Sequence, residues 1–570
     1  MPHSGAVSPG FRWVSGRRSG ACSGSDSNQG LDSGREGRLR VHRFEGRSGP
    51  AAPAAAGRSS GRPLRVAPRG VAPGSLVLVL AALTLSACAV GPEYDTPALT
   101  LPGHWGATAK KGEAAPQLKA WWRRMGDPML DALMAEAVAG NLDVATAKAN
   151  VRAARASYRQ QVGSLFPQVT GNASGTRGDS GGGVSPNGDI TVSNGYGQYQ
   201  AGLDASWEID LFGANRRGVE AAAYNVDAVV NDLDAALLTL VGDVASYYAD
   251  VRGYQAQIAL ARRTAASQRE TEALTRRKLD AGAASAVDLA NASGLVASTE
   301  ANIPELEASL AAAIHRISVL TGQPPAALML RLSRVKPVPS PRLPVPRGIP
   351  ADVLTNRPDV RAAERQLGQS TALIGQAEAN RYPAISLSGN IDTTGSQLGN
   401  LGRASSISWA FGPTLTVPIF TGGQLKALVD VAEANRDVSF IAYQASVLTA
   451  LEDVENASVS LSQQRLKTGK LTIAATSYRE AARLSRTLYE NGSTSFLDVL
   501  TAERSLYAAE TQLIQSRVAT TKYYIALNKA LGGGWDGVVD TSRPEVVDQN
   551  TGPHFARIAP LARPDGSAQP

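Results

Sequence analysis

Two periodicities take turns along this chain, one of two residues and one of three and four. Leu203, Ala205, Trp207, Ile209 and Leu211 alternate with Gly202, Asp204, Ser206, Glu208 and Asp210, an order that puts apolar side chains on one face of a strand and polar ones on the other. Ile385, Leu387 and Ile391 alternate in the same manner with Ser386, Ser388, Asn390 and Asp392. Trp409, Phe411, Leu415, Val417 and Ile419 alternate with Ser408, Ala410, Gly412, Thr414 and Thr416. A further strand is predicted after Pro167, where Val169 is the only strong apolar residue. Gly-, Ser- and Asn-rich loops, 176–195 and 393–406, join the strands in pairs. After each pair the period lengthens. Val226, Val230, Leu233, Leu237, Leu240, Val244, Tyr247, Val251, Tyr254 and Ile258 keep alternate spacings of four and three, a coiled-coil seam, and no proline interrupts 214–281. A helix of that span reaches about 100 Å. Gly282 permits a reversal, and a second helix returns towards Gly322. Phe440, Val447, Leu451, Val454 and Leu461 repeat the seam, with the turn at Asn491-Gly492. Pro304 is expected to kink or locally unwind the first returning helix.

Both patterns occur twice because the chain repeats itself. "NLDVATAKANVRAARASYRQQVGSLFPQVTGNASG" from Asn141 aligns with "RPDVRAAERQLGQSTALIGQAEANRYPAISLSGNI" from Arg357. "WEIDLFG" aligns with "LTVPIFTGG", and "LDAGAASAVDLANA" with "YENGSTSFLDVLTA". The unit is about 210 residues. Residues 88–322 form the first repeat with its N-terminal segment, 323–350 a proline-rich extended connector, 351–532 the second repeat, and 533–570 a tail expected to be partly disordered. Residues 1–87 read as a leader, and the aperiodic Gly, Ser and Arg of its first 60 or so positions suggest a start codon set too far upstream.

Charge and cysteines alter the picture at this leader. It holds twelve arginines against Asp26, Asp32, Glu36 and Glu45, a net of +8, so the whole-chain +7 leaves −1 for the remainder. The basic balance therefore belongs to the leader, and nucleic-acid binding loses its main support. Cys22 and Cys88 exclude a disulfide framework. The uncharged run Val71–Ala87 follows Arg62, Arg65 and Arg69, is too short to span a bilayer, and has the order of a secretory signal. Leu85-Ser86-Ala87-Cys88 resembles a bacterial lipobox, which implies a diacylglycerol on Cys88, and Ala89 after it favours the outer membrane over the inner. Alternation alone also fits a half-buried sheet of a soluble protein. Beside an outer-membrane signal it points to membrane strands. Four strands cannot close a barrel, so copies must combine, and twelve strands from a trimer leave a lumen where eight from a dimer are filled by side chains.

With strands, hairpins and signal placed, residues 88–535 resemble the TolC-like outer-membrane factors, in particular the NodT/OprM-type lipoproteins of resistance-nodulation-division (RND) efflux systems. The resemblance rests on "CAVGPEY", "WWRRMGDPMLDALMAEAVAGNLDV", "IPELEASLAAAIHRISVLTGQPP" and "RPDVRAAERQL", in that order. It implies a mainly α chain with four transmembrane β-strands and long coiled-coil hairpins, assembled as a homotrimer: a 12-stranded β-barrel in the outer-membrane lipid joined to a periplasmic α-helical barrel. It implies a passive exit duct for small molecules, served by a periplasmic adaptor and an inner-membrane RND pump, with no cofactor beyond the lipid on Cys88 and no nucleic acid. A duct for type I protein secretion shares the fold, and a non-channel coiled-coil structural lipoprotein is the alternative without a pore.

Matching "NGSTSFLDVLTAERS" places the implied periplasmic gate on Leu497, Asp498, Thr501 and Arg504. The implied adaptor contacts are the tips Ala281-Gly282-Ala283 and Asn491-Gly492-Ser493. Many relatives carry an acid where this chain has Thr501, which leaves Asp498 to form a carboxylate ring, with Leu497 as an apolar ring and Arg504 as a contact that holds the constriction. Asp498 also fits a helix capping box with Ser495, as Asp288 does with Ser285. Trp207, Trp409 and Phe411 fit an aromatic belt, and Trp121 and Trp122 fit packing of an equatorial girdle. Catalysis finds no support: His3, His42, His104, His315 and His554 are scattered, no Gly-rich phosphate loop ends in Lys, and "GDSGGG" sits in a strand-connecting loop.

Overall fold

A computed structural model describes residues 89–98, 118–179, 183–184, 190–191, 195–340, 357–535 and 537–544; Cys88 and the leader lie outside them. A 3₁₀ turn, Trp121–Met125, and helix α1, Pro128–Gly140, precede two halves of one pattern. The first contains α2 (Leu142–Gly163), β1 (Gln168–Asp179), β2 (Gly195–Ile209), α3 (Ala214–Asp280) and α4 (Ala286–Leu320). The second contains α5 (Pro358–Ala379), β3 (Ala384–Gly395), β4 (Ile407–Thr416), α6 (Gln424–Glu490) and α7 (Phe496–Ala530). The three helices of each half are 22, 67 and 35 residues long in both copies. At 1.5 Å per residue α3 and α6 each run about 100 Å. The loop expected from residue 176 starts later, because β1 reaches Asp179, and it carries a short ladder of Gly183–Val184 with Ile190–Thr191. Pro304 does not unwind α4, which is helical in one piece from Ala286 to Leu320. The proline itself lies on the exposed side of the helix, away from the packed seam.

The coiled-coil seam of α3 is buried where the sequence places it. Leu233, Leu237, Leu240, Val244 and Val251 share a core with Ile314 and Ile317 of α4, Val454 and Leu461 of α6, and Tyr524 of α7. Fully burying each such aliphatic side chain is worth roughly 1.5–3 kcal/mol. Trp121 and Trp122 complete this core: Trp121 Nε1 donates to Gly533 O at 3.1 Å, and Trp122 stacks on Trp535 at 5.8 Å. The described part of the connector is less extended than its prolines suggest. It buries Leu328 and Leu332 around a helical turn, Met329–Leu332. Arg252 and Gln255 of α3 donate to Arg334 O at 2.8 Å and Leu332 O at 2.6 Å.

The four long strands form one antiparallel sheet in the order β1-β2-β3-β4. Its register keeps the alternation in step across the sheet. Gly171, Leu203, Ile391 and Trp409 make one row, and Val169, Ala205, Gly389 and Phe411 the next. Thr170, Asp204, Asn390 and Ala410 align on the opposite face, as do Asn172, Gly202, Asp392 and Ser408. Space at Gly202 is tight, since a Cβ would lie 2.9 Å from the backbone Ile391 O and would also displace the Asp392 carboxylate. Trp409 and Phe411 are 76% and 70% exposed, so among the described residues nothing covers the apolar face at these positions. The aromatics expected to form a belt lie on one face in three successive rows, Trp207 opposite Leu387, which in turn faces Pro413, then Phe411, then Trp409.

Candidate functional site

The ends of the two long hairpins are built alike. Gly282 and Gly492 adopt φ of 72° and 74°, the left-handed region where a Cβ is unfavourable. Each closes its helix by a paired bond: Gly282 N to Leu279 O at 2.9 Å with Ala283 N to Lys278 O at 2.7 Å, and Gly492 N to Tyr489 O at 3.1 Å with Ser493 N to Leu488 O at 2.8 Å. The next helix opens on a capping box. Asp288 Oδ2 accepts from Ser285 N and Oγ at 3.0 and 2.8 Å, and Asp498 Oδ2 accepts from Ser495 N and Oγ at 3.2 and 2.8 Å. Thr494 Oγ1 adds a third bond to Asp498 at 2.5 Å. These donors, Thr494 foremost, hold the Asp498 carboxyl below the usual carboxylate range. Ala281, Gly282, Ala283, Asn491, Gly492 and Ser493 are all exposed.

Leu497, Asp498, Thr501 and Arg504 are also exposed. Leu497, Thr501 and Arg504 share one face of α7, with Asp498 a step round the helix. Thr501 Oγ1 donates back to Leu497 O at 2.8 Å. The contact expected between Asp498 and Arg504 is not made within the chain, because six positions put them on different sides of the helix and Asp498 is engaged by its cap.

Behind this stripe the two hairpins are locked together by residues that sequence reasoning missed. Phe496, Val499 and Leu500 of α7 pack with Tyr489 of α6 and with Ala292 and Leu295 of α4. Lys278 of α3 lies 4.3 Å over the Tyr489 ring and donates to its carbonyl, while Tyr489 Oη donates to Thr275 Oγ1 at 3.2 Å. Arg486 donates to Ser267 Oγ at 2.6 Å and Glu270 Oε2 at 2.8 Å. Glu503, 8% exposed, accepts from Thr271 Oγ1 at 3.0 Å. Burial pushes its carboxyl up, against the opposing effects of Thr271 and the Arg486 charge. A signal was present: Glu503 falls three and four positions after Leu500 and Val499, on the buried stripe of α7, where an acid is out of place.

Cys88 lies outside the described residues, but the segment after it has a defined seat. Val90 N donates to Phe212 O at 3.1 Å between β2 and α3, and Arg217 donates to Val90 O at 3.2 Å and Gly91 O at 3.3 Å. Ala89 packs against Gly213, the N-cap of α3. The chain is thus tied to the helical end of the sheet one residue after the cysteine. Among the described residues no helix is long and apolar enough to cross a membrane.

Comparison with known proteins agrees on one family. The family model for outer membrane efflux protein matches residues 133–323 and 349–533. Nodulation protein T of Rhizobium leguminosarum bv. trifolii is 36% identical, over 80% of this chain and 96% of its own length. The solvent efflux pump outer membrane protein SrpC of Pseudomonas putida is 32% identical, over 80% of this chain and 97% of its own. Among solved structures, the outer-membrane channel OprN superposes with a TM-score of 0.73 at 34% identity, covering 79% of this chain and 100% of that one.

Proposed function

Because this chain belongs to the outer membrane efflux protein family, we propose that it is the exit duct of a tripartite efflux pump of the RND type. Three copies pool their strands into a twelve-stranded barrel and their hairpins into a periplasmic tube. Small molecules received from a periplasmic adaptor and an inner-membrane pump leave through it passively. The observation that carries this reading is the sorted sheet: one face apolar through its central rows from Val169 to Trp409, one polar face, and outer edges at β1 and β4 that no further strand among the described residues covers. Such a sheet is an aggregation hazard in water. Closed in lipid, the same features satisfy every backbone group and put apolar side chains against hydrocarbon.

The relatives support the assignment to efflux, since SrpC is an outer-membrane protein of a solvent efflux pump. The seat of Ala89 and Val90 at the helical end of the sheet supports a lipid on Cys88, because it would bring an acyl anchor to the membrane surface. The exposed stripe Leu497, Asp498, Thr501 and Arg504 is the proposed gate, and the glycine turns at 281–283 and 491–493 are the proposed adaptor contacts. The test is purification of the full chain from membranes. We expect a heat-modifiable trimer that conducts ions in planar bilayers, and a deletion strain with raised susceptibility to dyes, detergents or antibiotics. A monomer that never conducts overturns the reading.

A further inference from the structure

The repeat makes one half of the chain a template for what the other half lacks. The helix N-caps Gly213 and Gly423 have φ of 88° and 87° and are 210 residues apart, and the hairpin pairs Gln168–Ser206 and Ala384–Thr416 give the same offset from β2 to β4. From β1 to β3 the offset is 216, as it is from α2 to α5. Within the chain β2 has two neighbours. Its last three residues, Trp207, Glu208 and Ile209, pair with β3 alone, because pairing with β1 begins only at Ser206. Their equivalents in β4 are Val417, Pro418 and Ile419. These fall outside any strand, and Ile419 is 93% exposed. So β4 stops three residues short of its template, and among the described residues no strand lies on its outer side.

The helix above β4 shows the same gap. Val431, Val438, Ile441 and Leu448 of α6 are large, apolar and exposed. Their equivalents on α3, Ala221, Ala228, Asn231 and Leu238, are all buried in a helix that packs along α5. Val438 is 66% exposed where Ala228 is 1%, and Leu448 is 66% exposed where Leu238 is 8%. Strand and helix lack a neighbour on the same side. The elements that would supply it, equivalent to β3 and α5, are β1 and α2.

We infer that the seam between copies repeats the β2–β3 register, so that β4 of one copy pairs with β1 of the next through Thr416 opposite Asn172 and Ile419 opposite Val169, extending β4 through residues 417–419. The mapping is direct. Ser206 pairs with Ser388, and Ile209 with Ile385; moving the first member of each pair on by 210 and the second back by 216 gives the two inter-copy pairs. Parity is preserved, so Ile419 and Val169 join the apolar face while Thr416 and Asn172 face the lumen. A slip of one residue would turn every side chain of the joining strand to the wrong face.

This inference rests on the duct reading, and cysteine pairs separate the two. Thr416→Cys with Asn172→Cys places thiols directly opposite across the seam, at a Cα separation of about 4.5–5.5 Å that a disulfide can bridge. The pair cannot close within one chain, since β1 and β4 lie at opposite edges of a sheet with roughly 4.8 Å between strands. Mild oxidation of the double variant in membranes should give covalent dimers and trimers on denaturing gels. Each single variant should give none, which accounts for Cys22 and Cys88. Thr414→Cys with Ser174→Cys tests the same register one row away should the first pair assemble poorly. Cross-linking by the slipped pairs Thr416→Cys with Ser174→Cys or Thr170→Cys, and not by the aligned ones, overturns the register while the trimeric duct stands. Failure of all four pairs in a protein that is trimeric by mass also overturns it, whereas a monomer by mass sinks the duct reading itself.

Discussion

Glu503 is a carboxyl in an apolar stripe, with Thr271 as its hydrogen-bond donor and the Arg486 charge opposing the effect of burial. Burial raises its pKa above the ordinary glutamate value, so the folded protein keeps a proton that the unfolded chain releases. Below about pH 4.5 both states are protonated and the group is neutral towards stability. As pH climbs through the raised pKa, stability falls, and above it the cost is present in full. Glu503→Gln should therefore raise the melting temperature of the detergent-solubilised protein at pH 7.5 and leave it unchanged at pH 4; an equal gain at both would mean that charge is not the cause. The exposed Asp498 poses a different question, because Asp288 makes the same capping box in the other half. If Asp498 does no more than cap α7, Asp498→Ala and Asp288→Ala should behave alike. As a gate residue, Asp498→Ala raises resting single-channel conductance in planar bilayers and Asp288→Ala does not. Equal conductances in the two variants would leave it only the cap.

At the scale of elements, the clearest local conflict is Pro304 inside α4. Its equivalent in α7 is Ile514, with no proline, and the two helices have the same length. Proline in a helix interior costs up to about 3 kcal/mol relative to alanine. Pro304→Ala should thus strengthen α4, and the melting temperature of the detergent-solubilised protein should rise; no rise would show that the packing of α4 already absorbs the proline. Much of this architecture was legible before any coordinates, and particular residues show why. The α3 seam needs only its own spacing, since Leu233 to Val251 face one core whatever lies opposite. Strand β1 was legible only through the repeat, as its run of Gly, Ser, Thr and Asn carries no apolar alternation. Arg357 was quoted within "RPDVRAAERQL" without a role. Its buried guanidinium ties Asp359 at the start of α5, Asp453 of α6 at 3.0 Å, and the carbonyl of Ala530 at the end of α7 at 3.2 Å. Contacts spanning 96 and 173 positions leave no local pattern to read. The connector fails for the same reason, because its prolines report backbone stiffness and not the pull of Arg252 and Gln255 on its carbonyls.

For the whole molecule the proposed duct depends on the sheet being sorted between two solvents, lipid on one face and water on the other. Ile391 and Asn390 are adjacent in β3, equally central, and differ only in face: Ile391 lies between Leu203 and Trp409, Asn390 between Asp204 and Ala410. An arginine on the lipid face near the bilayer middle costs roughly 2–4 kcal/mol, and a lumen substitution changes selectivity instead. Each copy would repeat the penalty, so a trimer carries it three times. Ile391→Arg should abolish heat-modifiable trimer in the outer-membrane fraction. Asn390→Arg should assemble normally, because Asp204 stands directly opposite and Asp392 lies two residues along the same face. The charges on the polar face of the four strands are Asp204, Glu208 and Asp392, with no Lys or Arg among the described positions of that face. A guanidinium there offsets one carboxylate per copy, so the reversal potential in a KCl gradient should move towards anions while conductance persists. If the two arginine variants assemble equally well, lipid and water do not lie on opposite sides of this sheet, and neither a barrel nor a duct can be built from it.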